Sequence, residues 1–422
     1  MPMELKFDRF NPLGMAAAAL PDEGGTALVW GVLPGERARV LPIRRQRENL
    51  LCRVEEILTA SPDRIPAREA HYLSCSPWQV MKYPAQVQWK RQILQSLFPA
   101  IPLGRFVPAD TVWGYRNKLE FNFTEEEGRL HLAFHERANR HRKLALPEGC
   151  RLGSEAMNAA ALEVAGRLAA RGTRADALKS LVVRGSAATG DVLIALYVTD
   201  ESFSALDFPL ERSAGQAIFY SDPLSPASVP TKVLARRGPQ EFTERVAGLD
   251  LACPLEGFFQ NHAEVFSCAS DEIRRHAGPA GLLLELYSGV GSIGLALRDR
   301  AAEIVAIESN QASAAFAERN RRKMGAENYR PVWAQVESCA EQLLAETDVL
   351  VVDPPRSGLP SRLVAALGRT RPGRIIYLAC NPVTQARDVA LLGSGYRPIA
   401  LAGFDFYPQT PHMESLVVLD RV

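Results

Sequence analysis

The chain has no marked excess of either charge. Its 422 residues carry 49 Lys and Arg against 48 Asp and Glu, a formal charge of +1, so no global field draws polyanions to it and a histone-like or polybasic protein is excluded. Cysteine is scarce. The 7 residues, Cys52, Cys75, Cys150, Cys253, Cys268, Cys339 and Cys380, are odd in number and widely scattered, a poor disulfide framework that points to a reducing compartment. No apolar run approaches the roughly 20 residues that cross a bilayer, and MPMELKFDRFNPLGM has no cationic start followed by an apolar core. A cytoplasmic protein with no membrane partner is therefore expected. The chain also lacks self-similarity at a period of about 20 to 50 residues, which excludes a solenoid or propeller.

What is present is an ordinary globular composition, 47% hydrophobic and 23% charged, long enough for two or three domains at roughly 150 residues each. Short runs separated by Gly and Pro (TALVWGVL, Arg37 to Arg44, NLLCRVEEIL) predict a small β-barrel over 1–65 with Arg44, Arg45, Arg47 and Arg53 at its tip. Residues 66–100 form a linker with a helix from about Ala85 to Leu97. Residues 101–252 alternate as strands around a helix near 155–171, a middle α+β domain. From 253 to 422 the rhythm is strand, helix, strand, helix, with apolar runs LLLELY, IVAIE, VLVVD and IIYLAC. Continuous apolar strands imply a doubly wound sheet covered on both faces, with the ligand beyond the strands' carboxyl ends. The last two strands, Ile399 to Phe406 and Leu416 to Leu419, lack a helix between them and predict an antiparallel pair.

The run Tyr287-Ser288-Gly289-Val290-Gly291-Ser292-Ile293-Gly294 satisfies G-x-G-x-x-G between a strand and an expected helix, and Glu308 ends the second strand. Such glycines with an acid for a ribose diol serve NAD or S-adenosylmethionine equally. Two later strands end in Asp353-Pro354-Pro355-Arg356 and Cys380-Asn381-Pro382 at the same edge. Arg356 stands where amino-methylating enzymes usually carry a base-stacking aromatic, which disfavours nitrogen methylation. A strand-end cysteine is commonly just a small hydrophobe; beside Asp353 and the glycine turn it becomes a candidate nucleophile. Methylating C5 of uracil needs a thiolate to add at C6 and a base to remove the C5 proton. Cys380 supplies the first and Glu414, in FYPQTPHME, is a candidate for the second, with His412 as a neighbour. Either acid or imidazole could instead be a loop surface group.

FFQNH, LELYSGVGSIGLAL, VVDPPRSGL, LACNPVTQARD and DFYPQTPHMES, in that order, resemble the RNA 5-methyluridine methyltransferases. LPGERARV and CRVEEILTASPDR resemble the TRAM barrel of many members, and GYRNKLEF and LAFHERANRHRK the family's substrate-binding insert. The resemblance implies an α/β fold: a class I Rossmann-like S-adenosylmethionine methyltransferase domain behind an OB-like TRAM barrel and a middle α+β domain. It implies Cys380 as nucleophile, Glu414 as base, and Gln260, Tyr287, Gly289, Gly291, Glu308 and Asp353 around S-adenosylmethionine, with Gln335 aligned to the adenine contact. Ser292 and Gln335 depart from the family's usual residues.

Many members bind a four-iron cluster through C-x5-C-x2-C and a distant cysteine. Here Glu69, Cys75, Trp78 and Cys150 stand on those positions, and with two of four thiolates no iron-sulfur cluster is expected; Trp78 is expected to fill the space. The partner implied is RNA presenting a flipped uridine in a structured loop, ribosomal RNA favoured over transfer RNA because barrel-bearing members often act there. Arg44 to Arg47 and Arg137, Arg140, Arg142 and Lys143 are candidate phosphate contacts or simply solvated faces. The competing readings are an RNA-binding or folding factor with dispensable methylation and, more distantly, a nicotinamide oxidoreductase.

Overall fold

Continuous apolar runs can be buried on both faces only if layers cover each side of a sheet, and the C-terminal runs do this in the computed structural model, which describes residues 1–21, 24–137, 139–204, 210–225, 227–338 and 341–422. Cys339 and the side chain of Arg140 fall outside the described residues. The strands are β1 (Ala280–Leu286), β2 (Ala301–Glu308), β3 (Tyr329–Trp333), β4 (Val349–Val352), β5 (Arg374–Ala379), β6 (Tyr396–Phe404) and β7 (Glu414–Arg421). Helices α1 (Ala263–His276), α2 (Gln311–Met324), α3 (Glu341–Glu346), α4 (Ser361–Thr370) and α5 (Pro382–Leu392) accompany them.

The order is β3-β2-β1-β4-β5-β7-β6, parallel as far as β5, with β7 antiparallel between β5 and β6. An eighth strand, Arg105–Val107, adds in parallel beyond β6. Alternation along the strands divides the side chains: Leu284, Leu286, Leu350 and Val352 enter one core, while Leu283, Val349 and Val351 enter the other. The sheet reverses direction of winding between β1 and β4, so a crevice opens at their carboxyl ends. This is the doubly wound α/β architecture, with an antiparallel pair at its end, expected from the strand rhythm.

The N-terminal segment builds a six-stranded sheet from Met3–Lys6, Arg9–Phe10, Ala16–Ala19, Thr26–Trp30, Arg37–Gln46 and Asn49–Thr59, largely antiparallel but with Thr26–Trp30 parallel to Asn49–Thr59. The hairpin end at Arg44, Arg45 and Arg47 is exposed. A middle seven-stranded sheet spans Lys118–Arg237, with helix Glu155–Ala170 against it. Ser154 caps that helix, accepting from the Met157 N–H at 3.2 Å. A hairpin of Glu241–Val246 and Leu249–Pro254 then packs into the second core of the C-terminal sheet.

The helix Tyr83–Leu97 joins the N-terminal sheet to the loop between β6 and β7, and its polar residues do the positioning. Lys90 and Asp405 form a fully buried pair at 2.6 Å, and Lys90 Nζ also donates to the Tyr407 carbonyl at 3.0 Å. Gln86 Nε2 donates to Gln409 Oε1 at 2.8 Å, and Gln86 Oε1 accepts from the Gln409 N–H at 2.9 Å. From the middle domain, Tyr115 donates to the Pro408 carbonyl at 3.1 Å. Residues 405–413, which carry no regular structure, are thereby held from two other parts of the chain.

Candidate active site

A cavity of about 620 Å³ opens in the crevice and is lined by Gln260, Tyr287, Ser288, Gly289, Glu308, Asp353, Arg356, Cys380, Tyr407 and Glu414, among others. Seven of the nine residues singled out in sequence as catalytic or cofactor-binding sit on its wall: Gln260, Tyr287, Gly289, Glu308, Asp353, Cys380 and Glu414. Gly291 lies behind the wall in the same turn. Gln335 is exposed beyond β3 and is not among the lining residues. The reason is local: the Ala334 N–H bonds back to the Glu308 carbonyl at 3.0 Å, turning the chain after β3. Asn310 and Ser313, at the start of α2, line that side of the cavity in its place. Their signal was readable, because Asn310 caps α2 by accepting from the Ser313 N–H at 2.9 Å.

The glycine turn departs from expectation. No α-helix follows it; residues Gly294–Leu297 make one short 3₁₀ turn. Tyr287, at φ 64°, holds a left-handed conformation unusual for a side-chain-bearing residue; Gly289 and Gly291, at φ 56° and 87°, need the freedom of glycine in the backbone, and Gly291 and Gly294 also pack closely. A Cβ on Gly291 would come within 2.8 Å of Tyr329 Oη, and one on Gly294 within 2.3 Å of Glu285 Oε2. The Gly289 N–H, the amide a phosphate would need, donates instead to Glu308 Oε2 at 2.8 Å. Glu308 Oε1 accepts from the Asn310 N–H at 2.6 Å. A diphosphate thus meets no helix N-terminus at the glycine turn itself and finds its amide taken by a carboxylate, which argues against NAD on physical grounds.

The remaining electrostatics favour a cation. Burial raises Glu285, fully enclosed beneath the turn, to about 8, and Asp353 to about 7 against the stabilising donation of Gln260 Nε2 at 2.8 Å. Burial, then Asp353, pushes Glu414 well above the ordinary carboxyl range, although Tyr407 donates to its Oε1 at 3.2 Å. Burial, with Glu414 and Asp353 adding to it, takes the Cys380 thiol up to about 12. His412 is driven down to about 3 by burial and by the Arg356 cation, so it is a neutral imidazole rather than a proton carrier. Gln260 Oε1, Tyr287 Oη and Glu414 Oε2 are buried without a hydrogen-bond partner, each on a residue of the cavity wall. S-adenosylmethionine fits this wall: a sulfonium and an ammonium for the acids, a ribose diol for Glu308, and no phosphate.

Outside the cavity the sequence expectations divide. Arg137 stacks 4.4 Å over the Trp30 ring and donates to the Leu73 carbonyl, Arg142 lies 3.6 Å from Glu136, and Lys143 donates to the Phe123 carbonyl at 2.8 Å. These cations are engaged within the fold rather than presented together. Trp78 does not fill a vacated cluster position. It packs 4.7 Å from Phe10 and donates to the Gly14 carbonyl at 3.0 Å, inside the N-terminal core, because its indole needs both an apolar bed and an acceptor. Cys75, Cys150 and Glu69 do converge, with His71, which the spacing did not single out, as the fourth member.

Comparison with known proteins agrees with this geometry. Residues 258–422 match the model of the tRNA (Uracil-5-)-methyltransferase family. A protein of Nitratidesulfovibrio vulgaris described as an uncharacterized RNA methyltransferase is 29% identical over 460 residues, covering 100% of this chain and 96% of that one. One of Thermotoga maritima with the same description is 27% identical over 94% of each chain. The crystal structure of Pyrococcus abyssi tRNA (uracil-54, C5)-methyltransferase in complex with S-adenosyl-L-homocysteine superposes with a TM-score of 0.80 over 99% of both chains at 22% identity. No described helix is long and apolar enough to cross a membrane.

Proposed function

We propose that this chain is an S-adenosylmethionine-dependent RNA uracil-5 methyltransferase, a reading supported by the family match over 258–422 and by its RNA methyltransferase relatives, in which Cys380 and Glu414 carry out methylation of a uridine at C5 within a structured RNA loop. The observation that carries the reading is the placing of Cys380, Glu414 and Asp353 on one buried wall with the glycine turn, from three different strand ends.

Cys380 Sγ adds to C6 of the uracil, and the ring becomes an enolate nucleophilic at C5. S-adenosylmethionine, when bound, supplies the electrophilic methyl group that C5 takes. Glu414 then removes the C5 proton, the C5=C6 double bond re-forms, and the Cys380 thiolate leaves. A carboxylate that burial has made reluctant to ionise is a stronger base than one in water. Tyr407 holds it by one oxygen and leaves Oε2 free for the proton. In the empty cavity burial keeps both the Cys380 thiol and the Glu414 carboxyl protonated; a cation bound in the same low-dielectric cavity favours the thiolate and the carboxylate, whose protons pass to solvent before the attack. Gln260 Nε2 keeps Asp353 oriented at 2.8 Å, and the Asn117 side chain in turn holds the Gln260 carbonyl at 2.8 Å, coupling the middle domain to the cofactor wall.

A uridine reaches a wall this deep only when unstacked and flipped. The exposed hairpin end with Arg44, Arg45 and Arg47 offers cations for phosphates near a folded RNA. The expectation of ribosomal RNA rested on the N-terminal sheet, but the Pyrococcus abyssi protein, whose description names tRNA uracil-54, shares the fold across 99% of both chains. That sheet therefore carries no preference, and the two RNAs become arms of the experiment. The purified protein, given transfer RNA or ribosomal RNA labelled with tritium at uracil C5, is expected to release tritium in step with methyl incorporation in one of them. Tight RNA binding with neither signal would favour the folding-factor reading instead.

A further inference from the structure

Glu69, His71, Cys75 and Cys150 each turn one ligand atom toward a common point, and these atoms all lie within 4.8 Å of one another. Glu69, His71 and Cys150 are buried, at 9%, 9% and 1% exposure. Glu69 and His71 precede the single helical turn Tyr72–Cys75, while Cys150 comes from the loop before helix Glu155–Ala170. The cluster thus ties the segment after the N-terminal sheet to the middle domain, well apart in sequence from Cys380.

The positions are fixed by neighbours. The Arg151 N–H donates to Glu69 Oε1 at 2.6 Å and Gln79 Nε2 to Glu69 Oε2 at 3.2 Å. Asn158 clasps Cys150, accepting from its N–H at 2.8 Å and donating to its carbonyl at 2.9 Å. Outer partners of this kind hold the ligands of a metal in place. His71 Nε2 lies 3.3 Å from Glu69 Oε1, yet it is buried without a hydrogen-bond partner. An imidazole nitrogen among two sulfurs and a carboxylate, paired with the carboxylate at 3.3 Å without a well-formed hydrogen bond, is placed to ligate a metal ion.

Bond lengths of about 2.3 Å to sulfur and 2.0–2.2 Å to nitrogen or oxygen give a tetrahedron with edges of roughly 3.3–3.8 Å. The observed 3.3 Å between His71 and Glu69 is one such edge, and the 4.8 Å ceiling leaves about one ångström of closure. A four-iron cubane does not fit: it places each ligand on a different iron, holds them further apart, and uses four thiolates. We propose that Glu69, His71, Cys75 and Cys150 form a closed tetrahedral Zn²⁺ site, a structural staple in which binding displaces to solvent whatever protons the thiols and the imidazole carry.

The test uses the full chain. Elemental analysis of protein purified anaerobically is expected to find one zinc per chain and no acid-labile sulfide. After chelation and loading with Co²⁺ alone, wild-type protein should show intense tetrahedral d–d bands and thiolate-to-cobalt charge transfer. Loss of an outer partner typically costs about 10–100-fold in metal affinity, so His71→Ala and Cys150→Ser should each weaken Co²⁺ binding by at least about 100-fold. Cys268→Ser, outside the cluster, should leave it unchanged. Four irons with labile sulfide, a Cys75–Cys150 disulfide in the anaerobic protein, or a folded wild-type chain that gives no thiolate–Co²⁺ spectrum would each overturn the proposal. The wild-type spectrum decides without requiring any variant to fold, and it is independent of whether the protein methylates RNA.

Discussion

Glu285 is a buried acid near the carboxyl end of β1, facing the Tyr329 hydroxyl at 3.5 Å, and Glu285→Gln gives its cost a measurable form. Burial lifts its carboxyl from 4.5 to about 8, the Asp353 charge adding to the rise and the Gly294 N–H opposing it. Below about pH 4.5 both folded and unfolded chains hold the proton, so the group neither adds nor subtracts stability. Between 4.5 and 8 the unfolded chain releases its proton while the folded one keeps it, and stability is lost; above 8 both are ionised and the loss is complete. With a tenfold change in the proton equilibrium for each pKa unit, most of this rise falls between pH 5 and pH 8, roughly 3 kcal/mol. Gln cannot titrate, and whatever its amide costs in packing is the same at every pH. Urea unfolding of both chains at pH 5, 6, 7 and 8 should therefore show the variant gaining steadily on the wild type, by roughly 3 kcal/mol in total. The difference between the chains largely cancels the parallel contributions of Asp353 and Glu414. A difference that changes by less than about 1 kcal/mol across that range would refute the picture of a desolvated acid beneath the glycine turn.

Glu414→Gln should retain attack and methyl transfer but lose the base, so that turnover falls by about 10²–10⁴-fold and a covalent protein–RNA complex accumulates on a denaturing gel with unmodified RNA. Lys90→Met leaves Asp405 buried and uncompensated, which should destabilise the chain by about 3–5 kcal/mol; Lys90→Met with Asp405→Leu should recover much of that in thermal melts, and no recovery would contradict the assignment of the loss to the orphaned charge. Gly294→Ala puts a methyl group 2.3 Å from Glu285 Oε2 and 2.6 Å from the Tyr329 ring, costing about 1–3 kcal/mol, and calorimetry with S-adenosylhomocysteine should show affinity down by about tenfold or more.

Much of this site could be read before any coordinates, and the parts that could not share a cause. Four of the five parallel strands and the antiparallel β6–β7 pair were legible because burial on two faces writes continuous apolar runs, whereas β3, half-exposed at the edge, has no such run; the strand ends then brought Asp353 and Cys380 to one edge. Strand Arg105–Val107 was not, since three residues at a sheet edge leave no periodic pattern. The glycine motif predicted a helix; what decided otherwise is tertiary, the crowding of Gly291 and Gly294 against Tyr329 and Glu285. Gln335 was aligned with the adenine contact through the family resemblance, and it lies exposed past the turn that the Ala334 N–H makes back to Glu308. Trp78 and His71 were exchanged: spacing borrowed from a cysteine motif put Trp78 at the cluster, whereas the short turn Tyr72–Cys75 brings His71 there. Arg137 looked like a phosphate ligand because its sequence neighbours are basic, and its ring partner, Trp30, lies in a different sheet.

The assignment of the nucleophile is tested most directly with RNA in which the target uridine is 5-fluorouridine. Fluorine cannot be abstracted as a proton, so the Cys380 adduct, once methylated, cannot break down. With S-adenosylmethionine present, the wild-type chain should form a stable protein–RNA adduct whose modified peptide contains Cys380, and Cys380→Ala should form none while still binding S-adenosylhomocysteine. An adduct that persists in Cys380→Ala, or that maps to another cysteine, would contradict the account.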